Sequence, residues 1–329
     1  MTGTGYPSNP SAARSSGTGI SPPLSDPQTA KDFFHDQGFL TARGLIPAEL
    51  CQPLSAAFLD EVKPFAGPIL RQTTTRPEKH NFNASGLMTN PILNLHELDA
   101  GAFPGFIERA LAIVCHPNLT RALAMIMDDE PVLVQSMYFE SSRGTDPHFD
   151  SPFLDSGEWG SLIGCWVALE DISEESGRFL VYPQSHRFDR PGAFPVPVYE
   201  TMLAYGGHSL ACIREYQLEG KRFSLKQVRR SEQLFQQLVE TSGMTPHAPV
   251  LKRGDVVFFS SKTIHGSYAP KPGGESRHSV TAHFVPRTKG FVRFHQIEET
   301  LNLKTINGTS VHLAGLGAVA GGHGGGQAI

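Results

Sequence analysis

The stretch TDPHFDSPF, residues 145–153, sets an imidazole and a carboxylate two positions apart, His148 and Asp150, with a proline on each side. Alternate residues of an extended chain share a face, so these two side chains converge while Phe149 turns away. Donors of this kind from one strand end suit a divalent metal, although an isolated His-x-Asp arises too often by chance to assign one. A third donor comes from LKRGDVVFFSSKTIHGSYAP, where a strand-like run ends at His265 and continues with Gly266 and Ser267. Two histidines and one carboxylate on one side of a metal leave other positions open, which is the donor set of a non-heme Fe(II) oxygenase.

The segment SRHSVTAHF opens another strand, with Arg277 twelve residues after His265. A guanidinium fork matches a carboxylate through two parallel hydrogen bonds, so an arginine one hairpin from the last metal ligand suits a dicarboxylate cosubstrate. Two other readings use some of the same groups. A zinc or manganese hydrolase on a cupin-like barrel would employ His, Asp and His but has no need of Arg277. A non-catalytic cupin-like binding protein would keep the barrel without reason to keep all four groups.

The elements that must carry these residues change character along the chain. DPQTAKDFFHDQGFL reads as a capped helix closing at Gly38, FLTARGLIP as a short strand handing over to a helix near Pro47, and residues 104–127 as two helices broken by Pro117. After them come PVLVQSMYFE, SLIGCWVALEDI, GRFLVYPQ, GDVVFFSSKTIHG and RHSVTAHFVP, short and rich in β-branched and aromatic residues. Helices first and strands later predict a mainly β fold, a barrel or jelly roll with an N-terminal helical layer. Residues 1–28 and the Gly-rich end, 306–329, are read as flexible, leaving a domain over 29–305. An insertion at about 187–249 carries the helical pattern SLKQVRRSEQLFQQLVETSG.

Composition narrows the partners. A formal charge of −4 and a pI near 6.4 supply no basic field for phosphates, so nucleic acid is not expected. No run of about 18 apolar residues and no basic-then-apolar leader is present, so neither a membrane nor a secretory route is expected and the location is read as cytoplasmic. The four cysteines are scattered and read as reduced core thiols, and the Asn-x-Ser/Thr triplets at Asn83, Asn118 and Asn307 as chance. The oligomeric state is not readable.

WVALEDISEESGRFLVYPQSH, GDVVFFSSKTIHGS and RHSVTAHF, with HFD, together resemble the phytanoyl-CoA dioxygenase family of Fe(II)- and 2-oxoglutarate-dependent oxygenases, which includes ectoine hydroxylase. The resemblance runs from about Phe33 to Pro286. It implies a double-stranded β-helix, the jelly roll of the cupins, with His148, Asp150 and His265 as iron ligands, and Arg277 and Ser267 on the distal carboxylate of 2-oxoglutarate. It also sets Trp166 beside the cosubstrate and Gln135 and Tyr138 on a strand facing the pocket, although each of these has a structural reading as well. Ectoine hydroxylase has a lysine after the Gln-Ser pair, where this chain has Met137. A carboxylate at Asp150, where related halogenases carry a small residue, implies hydroxylation. O2 is the other cosubstrate, and Phe149, Phe153 and Trp159 are expected as dry walls. The prime substrate is expected to be a small molecule, with a free amino acid or natural-product intermediate preferred. Desaturation, epoxidation and rearrangement stay open.

Overall fold

The computed structural model describes residues 21–187 apart from 152, residues 239–271 apart from 241, and residues 276–315 apart from 294, 295 and 299. Nearly all of the predicted insertion helix, and most of both ends read as flexible, fall outside them.

Helix α1 (Pro27–Gln37) starts where Asp26 accepts the Thr29 N–H on its side chain and ends on Gly38 at φ 80°. Strand β1 (Phe39–Ala42) leads to α2 (Ala48–Ala57), which loosens into one π-turn over Phe58–Val62. A small hairpin, β2 (Ile69–Leu70) with β3 (Pro77–Glu78), and the short β4 (Ile92–Leu93) follow. Helices α3 (Pro104–Val114) and α4 (Pro117–Met127) each begin on a proline, which lacks the N–H that a first turn leaves unpaired. The break between them lies at Cys115 and His116, as the position of Pro117 requires.

The strands are then β5 (Pro131–Phe139), β6 (Thr145–His148), β7 (Leu154–Ser156), β8 (Ile163–Ala168), β9 (Phe179–Val181), β10 (Val256–Ser260), β11 (His265–Ser267), β12 (Ser279–Pro286), β13 (Phe291–Arg293), β14 (Gln296–Glu298), β15 (Leu303–Ile306) and β16 (Thr309–His312). The main sheet runs β1-β10-β8-β12-β5-β16-β15, with β4 also on β5; a minor sheet runs β6-β11-β9, and another β14-β13-β7. This is the mainly β jelly roll with a helical layer that the strand pattern predicts.

Side-chain alternation divides the main sheet cleanly. Cys165, Val167, Phe258, Val280, Ala282 and Phe284 point to the helices and join Phe34, Leu54, Phe58, Phe106 and Leu123 in the largest apolar core. On the other face Trp166, Ala168, Val257 and Phe259 meet Phe179 and Val181 of the minor sheet. The site lies on this second side. Cys51, Cys115 and Cys165 are buried free thiols.

The folded chain also continues past 305. β15 and β16 form a hairpin across Asn307 and Gly308, both at positive φ, and β16 pairs in parallel with β5. Part of the segment read as tail is therefore sheet.

Candidate metal and cosubstrate site

His148 closes β6 and His265 opens β11, and the pairing of these strands sets the two residues directly opposite each other. Their ring centroids are 4.4 Å apart. In both residues Nδ1 lies 2.9 Å from the carbonyl oxygen two positions earlier, Asp146 for His148 and Thr263 for His265. A carbonyl only accepts, so Nδ1 carries the proton and the Nε2 lone pair is left to bind a metal.

Asp150 reaches the same point by a different route from the one its spacing suggests. β6 ends at His148, and Asp150 sits beyond it in a turn, where the N–H groups of Asp150 and Ser151 both donate to Ser261 O. Its Oδ1 lies 3.6 Å from His148 Nε2 and 3.7 Å from His265 Nε2. The three donor atoms all fall within 4.8 Å of one another, and they are the one such His/Asp/Glu/Cys cluster among the described residues. Phe149 packs away into an apolar cluster with Leu180, Tyr182 and Ile264.

The electrostatics suit a cation. Burial raises the affinity of Asp150 for a proton, but His265, the hydrogen bond from His283 and the other nearby imidazoles outweigh it and hold the carboxyl well below the usual carboxylate range. Burial pushes His265 down to about 4, with Asp150 partly opposing. The site therefore presents one ionised carboxylate and a neutral His265 at neutral pH, with donors of the type that borderline first-row metals accept. These residues fit a ferrous ion.

Arg277 lies two residues before β12, where its backbone N–H donates to Glu140 O at 2.8 Å. Its side chain is fully buried. Nη1 donates to Gly177 O at 2.7 Å, the guanidinium carbon lies 5.7 Å from the Trp166 ring and 5.9 Å from that of Phe139, and Nε has no partner among the described residues. Burial alone pulls its pKa down to about 10, with no carboxylate among the described residues to oppose it. A buried cation with an unspent N–H can seat an anion such as a carboxylate.

The other expected residues divide. Trp166 stacks on Phe179 beside the guanidinium, with centroids 5.6 Å apart. Ser267 on β11 is buried, and its Oγ lies 3.4 Å from Ser142 Oγ. Gln135 is half-buried and pairs with His283, so it lies on the site face of β5. Tyr138 does not. It faces the helices, stacks on Phe58 with centroids 4.6 Å apart, and bonds His278 Nδ1 at 2.6 Å through its hydroxyl. Residues three apart on a strand take opposite faces, which is why Gln135 and Tyr138 part company.

The expected dry walls pack within apolar clusters of their own. Phe149 and Trp159 pack with Leu180, Tyr182 and Ile264, and Phe153 packs with the cluster of Val132, Leu154 and Phe291. The rings against His265 are instead Phe259 at 4.3 Å and Phe179 at 5.8 Å. Gly164 permits this, since a Cβ there would come within 2.3 Å of the Phe259 ring. A further residue, His283, has its Nε2 3.1 Å from Asp150 Oδ2. Nothing in the sequence names its partner.

Comparison with known proteins agrees with this geometry. Residues 34–279 match the family model described as phytanoyl-CoA dioxygenase. A phytanoyl-CoA dioxygenase domain-containing protein of Danio rerio is 28% identical over 186 residues, covering 46% of this chain and 63% of that protein. The human peroxisomal phytanoyl-CoA dioxygenase is 24% identical over 78% of this chain and 67% of its own. The chain thus spans just under two thirds of the Danio rerio relative. Among solved structures, the non-heme alpha-ketoglutarate-dependent epimerase SnoN of nogalamycin biosynthesis superposes with a TM-score of 0.52 at 15% identity, over 82% of this chain and 85% of its own. EctD from S. alaskensis with bound Fe gives 0.51 at 17% identity, over 82% and 80%. At such identities these two establish the shared fold.

Proposed function

The chain belongs to the phytanoyl-CoA dioxygenase family, and on that premise we propose that it is an Fe(II)- and 2-oxoglutarate-dependent dioxygenase that hydroxylates an unactivated C–H bond of a small-molecule metabolite. The observation that carries this reading is the convergence of His148, Asp150 and His265 within 4.8 Å, on the face of the sheet that also buries Arg277. A hydrolase would use the three donors but has no role for a buried guanidinium with a spare N–H.

In this reading His148 Nε2, Asp150 Oδ1 and His265 Nε2 hold the iron on one side. Arg277, with Ser267 near it, receives the distal carboxylate of 2-oxoglutarate, which points the keto acid end at the metal. Bound together, iron and 2-oxoglutarate supply an O2-dependent oxidation in which 2-oxoglutarate becomes succinate and CO2, and the second oxygen atom enters the substrate C–H bond as hydroxyl. Trp166 and Phe139 flank the guanidinium and Phe259 walls His265, which limits water around both. His265 is neutral and Asp150 ionised at pH 7, so neither has to release a proton to ligate.

The test is succinate release from 2-oxoglutarate by the purified protein with Fe(II) and ascorbate, stimulated by a member of a panel of acyl-CoA esters, amino acids and natural-product intermediates. A protein that binds Fe(II) yet releases no succinate with any of them contradicts the proposal.

A further inference from the structure

Resting on the reading of His148, Asp150 and His265 as metal ligands, we infer that His283 is a positioning residue that holds the outer oxygen of Asp150, so that the carboxylate meets the metal through one oxygen only. A carboxylate can bind a cation through either or both of its oxygens, and here the two are kept apart in use. Oδ1 faces the Nε2 atoms of His148 and His265 at 3.6 and 3.7 Å, while Oδ2 lies 3.1 Å from His283 Nε2. Rotation of the carboxylate to offer both oxygens would break that bond.

His283 is well placed to hold still. It lies within β12, paired with Gly164 of β8 and Gln135 of β5, it is 3% exposed, and its ring meets that of Phe259 edge-on at 6.3 Å. Its Nδ1 is buried with no hydrogen-bond partner among the described residues. A carboxylate oxygen only accepts, so Nε2 carries the proton of that bond. Leaving Nδ1 unsatisfied has a cost to folding, and the contact made by the opposite nitrogen is what the placement secures. A single-oxygen aspartate leaves one more metal position for the keto acid and O2 than a two-oxygen one. Partners of this kind orient metal ligands, and their loss commonly weakens metal binding about 10–100-fold.

The experiment compares His283→Gln with His283→Met, two unbranched side chains of similar size of which glutamine alone can donate a hydrogen bond. Co(II) is titrated into the metal-free full chain and read by visible absorption. The expected result is that His283→Gln binds within about threefold of wild type with its spectrum, whereas His283→Met binds about 10–100-fold more weakly with an altered band. Equal behaviour of the two variants, whether both intact or both impaired, overturns the inference while leaving the ligand set standing. A wild-type chain that takes up no Co(II) overturns the ligand assignment itself. Side-chain nitrogen NMR of wild type adds a readout free of any variant's folding: His283 is expected as the Nε2–H tautomer, and the Nδ1–H tautomer refutes the inference.

Discussion

The imidazole of His265 rests against the phenyl ring of Phe259, with centroids 4.3 Å apart and planes inclined by 43°. The ring can lie there because residue 164 on the neighbouring strand has no side chain. Gly164→Ala places a methyl within 2.3 Å of that ring and must displace it. The expected cost is about 1–3 kcal/mol of stability, with weaker Co(II) binding. Calorimetric unfolding checks the first, and Gly164→Ala made in a Phe259→Leu background should cost markedly less.

Arg277 is a buried cation whose one side-chain acceptor among the described residues is Gly177 O. Arg277→Ala should raise the 2-oxoglutarate concentration needed for succinate release by about 30-fold or more, matching the 2–5 kcal/mol expected when one partner of a buried charge pair is lost. The metal-free, cosubstrate-free variant should unfold no lower than wild type, since a lone buried charge opposes folding. Unchanged 2-oxoglutarate dependence would remove Arg277 from the site.

Asp150→Ala should bring succinate release to background and abolish tight Co(II) uptake, because it deletes the one anionic donor of the cluster. Equilibrium dialysis and a product assay on the same preparation test both statements.

Tyr138→Phe separates the structural role of this hydroxyl from a role in binding. Losing its 2.6 Å bond to His278 should cost about 0.5–1.5 kcal/mol of stability and leave the 2-oxoglutarate requirement unchanged. Urea unfolding and cosubstrate titration provide the comparison.

Stability should depend on pH through histidines remote from the metal ligands. Burial pulls His278 down from 6.5 to about 4, so between these values the unfolded chain holds a proton that the folded chain refuses. Stability is therefore full above pH 6.5 and falls as pH drops toward 4, by up to about 1.4 kcal/mol per unit for one such group. Urea midpoints of the metal-free protein across this range should follow that sign, and His278→Gln should flatten the slope.

Much of this was legible in the residues. Asp26, Pro27 and Gly38 bound the first helix, Pro104 and Pro117 start the next pair, and strand-like runs gave the sheet. His148, Asp150, His265 and Arg277 could be chosen because their types and order suit a metal and a dicarboxylate and because they lie in the runs that carry the family resemblance. What escaped was orientation and partnership. Alternation already separated Gln135 from Tyr138, and a bulge beside His283 lets β5 skip Val134 and bring Gln135 level with His283, which no local pattern reveals. The missed hairpin did have a signal: Asn307-Gly308 between Ile306 and Thr309 is the dipeptide a two-residue turn with positive φ prefers, although the triplet had been read only as a chance sequon.

Because His148 and His265 stand across from each other on adjacent strands, an ion held between them acts as a rivet through the three-stranded sheet. A one-residue slip of either strand would turn one imidazole to the outside, so retaining the ion and keeping the strands aligned are the same event. Amide exchange in β6, β9 and β11 should therefore slow when the metal enters, far more than in the helices behind the main sheet, and chelation should unlatch that corner of the barrel first.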